Sequence, residues 1–63
     1  MLIFSEIGGA THYFTDSSIG EVNIKRKTEY TEICIHQTFV ATGRVYRVDE
    51  FTRVEIHNYL KAL

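Results

Sequence analysis

The sequence predicts an α+β domain, an antiparallel β meander of four or five strands with one C-terminal helix. Three observations carry this. Runs rich in β-branched and aromatic residues recur along the first fifty positions with turn residues between them. The longest run, residues 31–41, alternates Ile33, Ile35, Gln37, Phe39 and Ala41 against Cys34, His36, Thr38 and Val40. Near the C-terminus the period changes, and Ile56, Tyr59, Leu60 and Leu63 fall at helical spacing.

Element by element, residues 2–7 read as a strand and Gly8-Gly9 as a two-residue hairpin turn, with residues 11–15 returning. Pairing across that turn sets Phe4 opposite Tyr13 and Ile3 opposite Phe14, which leaves the hairpin apolar on both faces. Asp16-Ser17-Ser18-Ile19-Gly20 is a loop by composition. Residues 21–28 form a third strand carrying Val22 and Ile24 on one face and ending in Lys25-Arg26-Lys27. Residues 31–41 form the fourth strand and 44–51 the fifth, joined at Thr42-Gly43. Two registers compete there. A three-residue loop with Gly43 as a bulge suits Thr42, which avoids positive φ. A tight two-residue loop keeps Tyr46 and Val48 on the apolar face beside Phe39 and Ile35, and is preferred. The helix spans about 53–62. Thr52-Arg53-Val54-Glu55 reads as a capping box, and Phe51 with Ile56 as a hydrophobic staple.

The 63 residues make one domain, and a chain of this length buries only ~60% of its unfolded surface. One helix covers one sheet face. The sheet therefore either curls on itself or meets a second copy, and a homodimer using Ile3 and Phe14 is the expectation. Seven Lys or Arg against eight Asp or Glu give no global attraction to nucleic acid or an anionic membrane. Met1-Leu2-Ile3-Phe4 is too short for a signal peptide or a membrane span and has no basic flank, so a cytoplasmic protein is expected.

Chemistry-bearing residues are sparse. Cys34 and His36 share one side of a strand, but with His12 and His57 they do not make the spacing of a closed metal site, and neither metal nor cofactor is expected. The serines lack nucleophile context, and Gly8-Gly9-Ala10-Thr11 lacks the features of a phosphate loop. Arg44, Tyr46, Arg47 and His57 are the residue types of a metal-independent ribonuclease. A chain this short builds no deep pocket, so no catalytic residue is assigned.

Met1-Leu2-Ile3, five short strands and a terminal helix resemble in element order the dimeric carbon storage regulator family of RNA-binding proteins. That family has basic residues late in its first strand, where Glu6-Ile7 stand here. Its Gly-Asn-Gln turn and Asn-Ala-Pro segment have no counterpart between Thr28 and Gly43. The resemblance is thus confined to three residues and an order of elements, and assigns no family.

The functional expectation is a small non-enzymatic interaction protein, a regulator or inhibitor of the kind phages and mobile elements encode, docking on a protein partner. Tyr13, Tyr30, Arg44, Tyr46 and Arg47 are its interface candidates, because Tyr and Arg are favoured at interface hot spots. The alternative is an RNA- or DNA-binding sheet that uses Lys25, Arg26 and Lys27, with Glu29 and Glu32 flanking the run.

Overall fold

The computed structural model describes residues 1–63. Two antiparallel sheets and one helix follow one another along the chain. Strands β1 (Leu2–Ser5) and β2 (Thr11–Phe14) form a hairpin. A short 3-10 turn (Asp16–Ser18) leads into a second sheet of β3 (Ile19–Arg26), β4 (Thr31–Gln37) and β5 (Arg44–Val48), in that spatial order. Helix α1 (Glu50–Lys61) closes the chain. The α+β class and the helix's place are as the sequence predicts. The single meander divides at the 3-10 turn, so that the hairpin folds back over the second sheet.

The hairpin register differs from expectation by one residue. The chain turns through Ile7, Gly8 and Gly9, with Glu6 donating its N–H to Ala10 O (2.8 Å). Gly8 and Gly9 both have φ near +100° (106° and 102°), which side-chain-bearing residues rarely adopt. Leu2 therefore faces Phe14, Ile3 faces Tyr13, and Phe4 faces His12. A shift of one residue exchanges the faces. Leu2, Phe4 and Phe14 now lie together inside, and Ile3 and Tyr13 outside. The hairpin thus keeps apolar residues on both sides, Leu2, Phe4 and Phe14 inside and exposed Ile3 and Tyr13 outside, but Phe14, expected at a dimer interface, is a core residue only 6% exposed.

Strand β4 ends at Gln37, short of the expected 41, and Phe39 stands 96% exposed in the loop that follows. That loop is tied to the 3-10 turn: the Thr38 N–H donates to Ser18 O (2.9 Å) and its hydroxyl to Ser17 O (3.0 Å). Neither register proposed across Thr42-Gly43 occurs. Tyr46 lies opposite Ile33, not Phe39, and Arg44 opposite Ile35. The slip is by an even number of residues, so the faces are preserved: Ile33, Ile35, Tyr46 and Val48 are all buried on one side. A bulge at the start of β3 falls at Gly20, where a Cβ would come within 2.9 Å of the His36 carbonyl oxygen.

The helix begins at Glu50, earlier than expected, and β5 stops at Val48 instead of 51. Asp49 is the N-cap: its Oδ1 accepts the Thr52 N–H at 2.8 Å. The expected Thr52–Glu55 box does not form, because Asp caps a helix better than Thr and the earlier start adds nearly a turn. Phe51 then lies within the helix, 73% exposed, so the staple is absent. Ile56 is fully buried, Tyr59 and Leu60 half so, while Leu63 lies past the helix end and is exposed.

The core is one cluster drawn from all three layers: Leu2, Phe4 and Phe14 from the hairpin, Ile33, Ile35, Tyr46 and Val48 from the sheet, and Ile56 from the helix. Phe4 stacks on Phe14 (centroids 5.9 Å apart) and meets Tyr46 edge-on (5.5 Å). Hairpin and helix together cover one face of the three-stranded sheet. The Ile7 N–H also donates to Arg47 O (2.9 Å), joining the hairpin to the edge of β5. No helix is long and apolar enough to cross a membrane.

Candidate functional site

The other face of the three-stranded sheet is uncovered. The pleat places there Glu21, Asn23 and Lys25 from β3, Glu32, Cys34 and His36 from β4, and Val45 and Arg47 from β5. Tyr30, just before β4, joins them: the Arg47 guanidinium lies over its ring, 4.9 Å from the centroid. Such a cation–π contact, worth about 0.5–1 kcal/mol at an exposed site, favours one placement of a long side chain over the others. Arg47 has no carboxylate partner within the chain, whereas Lys27 reaches Glu32 (3.9 Å) and Arg26 reaches Glu50 (3.4 Å). Next to Arg47 on the same strand, Val45 is 57% exposed beside Cys34, at the rim of a shallow depression also lined by Asn23, Lys25 and Glu32.

Of the interface candidates, Tyr30 and Arg47 come together on this face. Tyr46 does not join them. It is buried in the aromatic cluster, its ring 4.4 Å from that of His12. Arg44 is exposed but belongs to the opposite face of β5, the one carrying Tyr46 and Val48. Tyr13 is exposed with Ile3 on the outer side of the hairpin, away from the sheet's open face. The ribonuclease set is likewise divided: Arg47 outside, Tyr46 in the core, and His57 exposed on the helix. No three His, Cys, Asp or Glu side chains gather where a metal ion could be held. His12 instead packs against Phe4, with its Nε2 2.8 Å from Glu6 Oε2 at the end of the core.

The basic run is also divided. Lys25 points to the open face and Arg26 to the helix side, where it meets Glu50. Glu50 is the hub of that corner. Arg53 donates to it through Nε (2.8 Å) and a terminal guanidinium nitrogen (2.7 Å). Those hydrogen bonds, then the charge of Arg26, hold the Glu50 carboxyl below its usual range, and the same bonds raise the Arg53 guanidinium. The Asp49 carboxyl is lowered by its bonds from Thr52. The pairing of Arg47 with Tyr30 was open to sequence reasoning, because Glu32 opposite Arg47 sets Tyr30 on the diagonal. Finding it required the β4–β5 register. No family model, curated protein or solved structure matches this chain.

Proposed function

We propose that the chain is a small non-enzymatic interaction protein, a regulator or inhibitor working in the cytoplasm. It docks on a protein partner through the open face of its three-stranded sheet. The observation that carries this reading is the Tyr30–Arg47 stack beside exposed Val45. It is a cation stacked on an aromatic ring and engaged in no ion pair, although Glu32 faces it across the strands, next to exposed Val45 at the rim of a shallow depression. An Arg already stacked on an aromatic ring has less side-chain entropy to lose on binding than a free one, which favours it as an interface hot spot. The partner it fits presents a carboxylate to Arg47 and an apolar side chain to Val45. Nucleic-acid binding through Lys25, Arg26 and Lys27 is the weaker reading. Two of those three cations already have carboxylate partners, and the run is split between two faces.

The test is affinity capture from the source cell with the wild-type chain and with Arg47→Ala, Tyr30→Ala and Tyr13→Ala variants, each eluted over a salt series. The expected result is a protein retained by wild type and Tyr13→Ala and lost by Arg47→Ala and Tyr30→Ala, with shallow salt dependence. Capture of nucleic acid that salt releases steeply would overturn the reading.

A further inference from the structure

We infer that β3 is a self-complementary edge, and that two copies of the chain join through it into one continuous six-stranded antiparallel sheet. The three-stranded sheet has two edges, those of β5 and β3. That of β5 is joined to the hairpin through the Ile7–Arg47 hydrogen bond, while that of β3 has no neighbour. The Lys27 N–H bonds to Tyr30 O (2.8 Å) at the β3–β4 turn. Counting back from that bond by the antiparallel alternation, Lys25, Asn23 and Glu21 direct their backbone groups into β4, and Val22, Ile24 and Arg26 direct theirs outward. An open row of donors and acceptors on an eight-residue strand is a template for another strand.

The side chains choose the occupant and the register. A two-fold axis beside Asn23 sets Val22 opposite Ile24 of the second copy. Both residues carry outward backbone groups and exchange a pair of hydrogen bonds. The same axis sets Glu21 opposite Lys25, twice by symmetry, at the positions where facing side chains approach closest. Glu21 and Lys25 are both exposed, and neither has an ion-pair partner within the chain, unlike their neighbours Arg26, Lys27 and Glu32. Val22 and Ile24 are half-buried, packed on the core at its open margin, and the partner strand covers them. Moving the axis by one position in either direction sets Val22 opposite Arg26, or Ile24 opposite Gly20, and loses the Glu21–Lys25 pairs. Lys25, which would deter a random strand, is thus matched only by a second copy in one register.

Sedimentation equilibrium of the full chain from micromolar to hundreds of micromolar is the test, with circular dichroism as the check on folding. The expected result is a concentration-dependent dimer. Glu21→Lys and Lys25→Glu each weaken it about tenfold or more, and the double variant Glu21→Lys/Lys25→Glu restores it. In the wild type, the Val22 and Ile24 amides gain hydrogen-exchange protection as concentration rises. A chain that stays monomeric throughout overturns the proposal. So does a dimer indifferent to the single reversals, a double variant that folds but does not pair, or protection that ignores concentration.

Discussion

Asp49 sits where a strand becomes a helix, and its side chain decides the residue at which that happens. Its carboxylate takes the Thr52 N–H, and the earlier start puts Glu50 in the first turn, within reach of both Arg53 and Arg26. An acidic first turn also suits the helix dipole. Asp49→Ala should therefore lower the denaturant midpoint clearly, and Glu55→Ala should leave it almost unchanged. The reverse ranking would mean that the helix starts at Thr52. Both Asp49 and Glu50 have lowered carboxyl pKa values in the folded state, so their contribution is complete above the ordinary carboxylate range. It is lost as pH falls through the lowered values. Acid titration of wild type against Glu50→Gln should show that part of the acid loss disappear in the variant. Two capping signals overlap in this stretch, and the Thr52-to-Glu55 spacing of a capping box masks the stronger cap three residues earlier. What separates them is the cap residue itself: Asp49 is a stronger N-cap than Thr52, and the earlier start adds nearly a turn to the helix.

At the scale of elements, the two hairpin registers show what alternation can and cannot reveal. In β4 and β5 the period-two pattern is long enough to settle which residues face inward, and Ile33, Ile35, Tyr46 and Val48 do. The pattern says nothing about slips by an even number of residues. The end of β4 depends on Thr38 bonding to Ser17 and Ser18, a contact far away in the chain. In the first hairpin the strands are only four residues each, and every one of Ile3, Phe4, Tyr13 and Phe14 would serve inside. The turn decides, and Gly8-Gly9 belongs to a three-residue loop as readily as to a tight one. Two outcomes follow. Gly9→Ala should cost about 1 kcal/mol or more, because a Cβ opposes its left-handed backbone although nothing crowds it. Leu2→Ser should lower the thermal midpoint far more than Ile3→Ser, since the first residue is buried and the second is not. Equal effects would point to the alternative register.

At the scale of the whole molecule, the one-residue shift in the hairpin changes how the chain solves its burial problem. With Phe14 inside, a single copy assembles a core from hairpin, sheet and helix, and no second copy is needed to bury Phe14. The interface candidates stood out by residue type, but which of them meet depended on register, so Tyr46 proved to be core while Tyr30 and Arg47 were brought together. Folding and association should consequently be separable. Phe14 makes a stacked contact with Phe4 and an edge contact with Tyr46, and Phe14→Ala should cost about 3–5 kcal/mol, comparable to the margin of a domain this small. That variant should be unfolded or nearly so at any concentration. Glu21→Lys changes only an exposed strand edge, and should leave a chain that still unfolds cooperatively, at a temperature less dependent on concentration than that of the wild type. Calorimetry of both variants across roughly two decades of concentration distinguishes the cases. A Glu21→Lys chain that loses cooperative unfolding would show that the core closes only in the dimer.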